Sequence, residues 1–351
     1  MTLEELHAKV REWDQQHTGA AIASSHYEAI LNQLYYHAAK EWRVYLPAEH
    51  PDSNSNYMER LAAWIGNLAD ETDQKLLLEY ALYISFFSHD DFAALYRTAL
   101  DREITRWVVT QVGASLEPCG GQVLHLLVHQ QIHQQTWFCP ITDSMDINEF
   151  YKVNHLTGVS HRPGFATLQM LAERAAVPDP ALASNVIHYM ANPSLDPTNR
   201  LPQLERLVLL EDVVGSGSQC LAAVRWAVAN LGKPVLFVPL ILCPNGVEAL
   251  RAEEQQSNGR LSVRPVIELR RCDLLGPERQ GHQGWPIAEE VEDLANRCAL
   301  RASVGMEVFG YKNTGCSLAT FSNTPDNTLP IIHNKPQTGS WEPLFPRVYR
   351  D

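Results

Sequence analysis

Residues 207–210 and 234–242 are apolar almost without interruption, and the stretch 217–231 between them has helical spacing and stops at Gly232. A strand with one wet face alternates apolar and polar residues, whereas a strand apolar along its whole length is buried on both faces. Such strands separated by helices predict a parallel sheet covered by helices on either side. The alternation continues with a helix over 245–256, a strand over 261–269, a helix over 286–303 and a last strand over 317–321. Upstream, a helix over 122–135 leads into a short buried strand, 136–141, and then the polar loop Thr142-Asp143-Ser144. Residues 164–176 read as a further helix, broken by Pro178-Asp179-Pro180, and the proline-rich 192–202 as a loop.

The first ~110 residues carry a different period. Thr2-x-x-Glu5 is a capping box ahead of the stripe Leu3, Leu6, Val10 and Trp13. Two more stripes run through Tyr27, Ile30, Leu31 and Leu34, and through Met58, Leu61, Trp64, Ile65 and Leu68. Asp70 and Ser88 stand where N-caps of a fourth and a fifth helix belong. The expected organisation is therefore an all-helical region, 1–119, followed by an α/β domain, 120–351.

Bulk properties narrow the function. The net charge is −13, and residues 1–200 hold −11 of it, with 13 Lys and Arg against 24 Asp and Glu. Direct nucleic-acid binding is disfavoured, because it calls for a basic surface. The acidic first half suits a basic protein partner; a plain solvated surface is the simpler reading. No apolar run reaches the ~18–20 residues that span a bilayer, and the acidic N-terminus is unlike a signal or transit peptide. Seven cysteines, without Cys-x-x-Cys spacing, argue against a disulfide framework or a zinc ribbon. A cytoplasmic protein with free thiols is expected.

The sharpest motif is Leu207-Val-Leu-Leu-Glu211-Asp212-Val-Val-Gly215-Ser216-Gly217-Ser218-Gln219. A buried strand delivers two carboxylates at its carboxyl end, and a Gly/Ser turn then opens a helix. Glycines let the backbone approach a ligand. Amides of the turn and of the helix start make an anion cradle, to which Ser216 and Ser218 add hydroxyls. Carboxylates beside a phosphate are suited to sugar hydroxyls or to Mg²⁺, so the motif describes a site for a phosphorylated sugar. The bland alternative is an ordinary strand–turn–helix junction.

This block resembles the phosphoribosyl-pyrophosphate loop of type I phosphoribosyltransferases. Further blocks resemble one branch of them, the phosphoribosyltransferase-like family of bacterial conflict systems, some of whose members sit beside reverse transcriptases in retron-type antiphage operons. They are Thr142-Asp143-Ser144-Met145, the helix around Leu168, Gly310-Tyr311-Lys312-Asn313, residues 322–330, and the closing Trp341-Glu-Pro-Leu-Phe-Pro-Arg347. The resemblance covers about residues 76–347. It implies a parallel α/β fold, and an effector glycosyltransferase that binds phosphoribosyl pyrophosphate or a related nucleotide, with Mg²⁺ carried by the ligand pyrophosphate. Glu211 and Asp212 become the catalytic pair on the ribose hydroxyls, and Gly215, Ser216, Gly217, Ser218 and Gln219 the 5′-phosphate turn. Thr142, Asp143 and Ser144 become the pyrophosphate loop, and Asn323 and Asn327 part of a substrate loop. A protein partner such as a reverse transcriptase complex is also implied. Where the family usually ends its turn with Thr, this chain has Gln219. A non-catalytic nucleotide-sensing or scaffolding subunit of a retron complex is the alternative.

Simpler readings stand beside several of these residues. Thr142-Asp143-Ser144 also suits a helix cap, and Asn323 to Asn327 a plain turn. Arg162 and Arg347 are candidate phosphate grips or surface pairs. His125, His129 and His133 share a helix face and suit a transition metal in principle. A polar, partly packed face explains them more simply, and no metal-binding residue is expected.

Overall fold

The uninterrupted apolar runs form a parallel sheet. A computed structural model describes residues 1–16, 25–40, 42–49, 56–113, 116–157, 163–169, 204–336 and 341–348. The expected break at Pro178–Pro180, the 192–202 loop and Arg162 fall outside them. Contacts divide the chain into two compact units. One is Met1–Phe92 together with Arg270–Asp351; the other is Ala93–Leu269.

The second unit contains the sheet. Its strands are β2 (Thr136–Pro140), β3 (Arg206–Val214), β4 (Val235–Leu242), β5 (Leu261–Val263) and β6 (Ile267–Glu268). All pair in parallel, in the order β2-β3-β4-β5, with β6 also on β4. Trp137 lies opposite Leu207, and Leu209 opposite Phe237. The single strand expected over 261–269 is two short ones, because Pro265 between them has no N–H to give to a ladder. On one face Leu207, Leu209, Val235 and Phe237 pack with Val224 and Ala227 of the helix Ser218–Asn230 and Leu250 of the helix Pro244–Gln256. On the other, Phe138 meets Phe150 and Tyr151 of the helix Ile147–Val153, with ring centroids 5.6 and 5.7 Å apart. Covering both faces is what demanded strands without polar positions.

The first unit is mostly helical. The predicted caps close as hydrogen bonds. Thr2 N–H donates to Glu5 Oε2 (2.7 Å) and Glu5 N–H to Thr2 Oγ1 (3.2 Å), while Asp70 Oδ1 accepts from the amides of Thr72 and Asp73. Ser88 and Asp91 cap each other before the helix His89–Thr98. The stripes converge on a core that includes Trp13, Trp64, Tyr80, Trp341 and Phe345. Strands β1 (Ser85–Phe87) and β7 (Leu318–Thr320) pair in parallel. The closing block is sewn into this core: Trp64 Nε1 and Trp341 Nε1 both donate to the Ile331 carbonyl (2.6 and 3.0 Å), and Arg60 Nε donates to the Leu344 carbonyl (2.9 Å). Tyr45 Oη donates to the Pro346 carbonyl at 2.6 Å. No helix among the described residues is long and apolar enough to cross a membrane.

Candidate ligand site at the carboxyl edge of the sheet

Parallel strands all end at the same edge, and there β2 and β3 deliver the polar residues of this site. Glu211 and Asp212 lie within β3, only 6% and 8% exposed. Adjacent strand residues point to opposite faces. The Glu211 charge acts on Cys220 and the Asp212 charge on Tyr96.

The loop that follows β2 ties the pair together. Thr142 N–H donates to Glu211 Oε2 (3.1 Å), and Thr142 Oγ1 lies 2.6 Å from Glu211 Oε1. Thr142 Oγ1 is 2.7 Å from Ser144 Oγ, which donates to Asp212 Oδ1 at 2.9 Å. Asp212 Oδ1 also accepts from the Val213 amide (2.7 Å). Burial first, then the charge of Asp212, pushes the Glu211 carboxyl up to about 8; the Thr142 hydrogen bonds oppose that rise and Asp143 adds to it. Asp143 itself is exposed.

Beyond β3, residues 215–217 turn into the helix Ser218–Asn230. Gly217 has φ +76°, a conformation in which a side chain is strained. The first complete helical bond here runs from Leu221 N–H to the Gly217 carbonyl (2.9 Å), so the amides before it are those a helix start leaves without an intrahelical acceptor. Ser216 Oγ and Ser218 Oγ are 2.9 Å apart. Gln219 is exposed and, among the described residues, its side chain makes no hydrogen bond to the turn. Beneath the turn sits Gly246, where a Cβ would meet the Gly215 carbonyl oxygen at 2.8 Å and Leu242 Cδ1 at 2.7 Å. Cys220, whose thiol donates to the Gly217 carbonyl (3.2 Å), is pushed up to about 12 by burial and by Glu211, so it stays protonated.

The acidic pair, the Gly/Ser turn and the Thr142–Ser144 loop thus share the second unit. Asn323 and Asn327 belong to the first, where their amides build structure. Asn323 Nδ2 donates to the Val348 carbonyl (2.8 Å) and its Oδ1 accepts from the Thr324 and Val348 amides. Asn327 Nδ2 donates to Thr314 Oγ1 at 3.0 Å. Asn327 and Asp326 knit their loop to residues 310–316: the Tyr311 amide donates to the Asp326 carbonyl and the Cys316 amide to the Asn327 carbonyl. Arg347 donates to the Thr324 carbonyl (2.8 Å). The imidazoles of His129 and His133 stack at 3.9 Å. Among the described residues no group of three His, Cys, Asp or Glu side chains is placed to hold a metal ion.

Two residues near the site were not singled out from the sequence. Tyr96, 3% exposed, is raised by burial and then by Asp146, Asp212 and Glu149, so its phenol stays neutral. An aromatic on a helical stripe reads simply as core, and no signal distinguishes it. Gly246 did leave a trace, since a glycine inside a helix costs about 1 kcal/mol and asks for a packing reason.

A parallel sheet flanked by helices, with an acidic pair and a Gly/Ser turn at its carboxyl edge, is consistent with a phosphoribosyltransferase-like fold. Residues 61–347 match the family model PRTase-CE, and the chain belongs to that family. No curated protein and no solved structure gives a significant match.

Proposed function

We propose that this sheet edge binds phosphoribosyl pyrophosphate, or a nucleotide made from it, and that the protein acts as an effector in antiphage defence. The observation that carries the ligand reading is the meeting, at one edge, of two buried carboxylates, a hydroxyl-bearing loop bonded to both, and a glycine turn that opens a helix. Asp212 and Glu211 are acceptors for ribose hydroxyls, the amides of 215–219 a cradle for the 5′-phosphate, and the Thr142–Ser144 loop the neighbour of the pyrophosphate. Both oxygens of Glu211 and Oδ1 of Asp212 are already engaged by Thr142 and Ser144, and among the described residues side chains form no cage. Mg²⁺ therefore suits this site as an ion held by the ligand's phosphates and water, a usual mode for it. So bound, it neutralises the leaving pyrophosphate. The defence role rests on the family resemblance alone.

Isothermal titration with phosphoribosyl pyrophosphate and Mg²⁺ tests the reading. Binding is expected, and Asp212→Asn should weaken it at least tenfold, about 1.4 kcal/mol. Equal affinity in the variant would remove Asp212 from the ribose. In cells carrying the whole operon, the same variant should lose phage protection.

A second reading, a non-catalytic nucleotide-sensing or scaffolding subunit of a reverse transcriptase complex, is favoured by Gln219, whose side chain gives the turn no hydroxyl and no hydrogen bond. Binding of phosphoribosyl pyrophosphate without its consumption by purified protein would support it.

A further inference from the structure

Four oxygens form an unbroken chain between the two carboxyls. Glu211 Oε1 is 2.6 Å from Thr142 Oγ1, which is 2.7 Å from Ser144 Oγ, which is 2.9 Å from Asp212 Oδ1. A hydroxyl donates one hydrogen, so the direction of such a chain is fixed at its ends. With both carboxyls ionised, Thr142 and Ser144 supply two hydrogens for three contacts, and one oxygen pair faces itself without a proton. One proton on Glu211 repairs this: Glu211 O–H donates to Thr142, Thr142 to Ser144, and Ser144 to the Asp212 carboxylate. Glu211 Oε2 still accepts from the Thr142 amide. Every contact then has one donor and one acceptor.

We propose that Glu211 and Asp212 hold a single proton between them, and that the hydroxyls of Thr142 and Ser144 conduct it from one carboxyl to the other. In the transfer, the Glu211 proton passes to Thr142 Oγ1, the Thr142 hydrogen to Ser144 Oγ, and the Ser144 hydrogen to Asp212 Oδ1. One proton has moved, no charge is gained or lost, and both hydroxyls are whole again with their directions reversed.

The surroundings set the resting end. Asp212 and Asp143 face Glu211 with negative charge, and Cys220 beside it is neutral; among the described residues no cation acts on it, and burial favours its neutral form. Asp212 acts on the neutral Tyr96 phenol, as Asp146 and Glu149 do, and keeps the Val213 amide as a donor to its charged form. The proton therefore rests on Glu211. In the ligand reading above, a ribose hydroxyl that replaces Ser144 at Asp212 cuts the relay and leaves the proton on Glu211.

The test needs no ligand, so it stands or falls separately from that reading. In the intact protein labelled with ¹³C at the Asp and Glu carboxyls, a pH titration should show Glu211 titrating well above ordinary carboxylates, with the Asp212 signal moving at the same midpoint. Ser144→Ala should cut that Asp212 response at least twofold while Glu211 still titrates high, and Ser144→Thr should restore it. An equal Asp212 response in wild type and Ser144→Ala would assign the coupling to direct charge interaction and overturn the relay. Titration of Glu211 in the ordinary range would overturn the shared proton.

Discussion

Glu211 binds a proton more tightly when the chain is folded than when it is unfolded. Its carboxyl rises to about 8 in the fold, through burial and then the Asp212 charge. Folding therefore takes up a proton between roughly pH 4.5 and 8, and stability falls as the pH rises through that window. The contribution is complete below the unfolded value and lost above the folded one. Glu211→Gln keeps one acceptor for the Thr142 amide and one donor for its hydroxyl, but does not titrate. Urea denaturation at about pH 5 and about pH 8.5 should show wild type losing more stability between the two than the variant; parallel losses would return Glu211 to the ordinary range. Gln219 is the other residue to be decided by substitution. Its free side chain can turn toward a bound phosphate, so Gln219→Ala should weaken phosphoribosyl pyrophosphate by roughly 1–2 kcal/mol, the scale of one hydrogen bond to a charged group. Tighter binding by Gln219→Thr would instead favour the non-catalytic reading.

Elements whose identity depends on their own residues were legible, and those set by a neighbour were not. The apolar runs at 207–210 and 234–242 could only be strands buried on both faces, and they form β3 and β4. The helix read over 217–231 is Ser218–Asn230, since Gly217 and Gly232 punctuate it in the sequence. Pro265, by contrast, splits a continuous apolar reading at 261–269. The acidic pair and the turn were visible because their chemistry is local to thirteen residues. The bonds from Thr142 and Ser144 were not, because they span nearly seventy positions and depend on β2 lying beside β3. Gly246 exists for the same kind of non-local reason. Gly246→Ala would press a methyl onto the Gly215 carbonyl and Leu242, and overpacking of this kind costs about 1–3 kcal/mol. A lowered denaturation midpoint, with weaker ligand binding because the turn shifts, is the expected outcome; an unchanged midpoint would show that the helix Pro244–Gln256 can move away freely.

At the scale of the whole molecule, two of the blocks that carry the family resemblance also have an architectural role. Residues 322–330 and 341–347 hold the first unit together through Trp341, Phe345, Arg347 and the Asn323 and Asn327 amides. Phe345 is fully buried against Tyr45, Tyr57 and Phe86, with ring centroids 5.3–5.7 Å apart. Phe345→Ala should cost about 3–5 kcal/mol, read as an early unfolding transition in calorimetry. Periodicity could not reveal that these residues complete a core begun by Trp13 and Trp64, because it reports on neighbours along the chain only. That interrupted unit has a consequence in time. The Ala93–Leu269 unit is continuous in the chain, so all of it has left the ribosome before the other unit is complete. Met1–Phe92 lacks its partners in 270–351 until that segment has been made. At about 5–20 residues per second, its tryptophans wait roughly 10–50 s in the open. During that interval the nascent chain carries a sticky, unfinished surface, so its yield in the cell should depend on chaperones far more than the stability of the finished protein suggests.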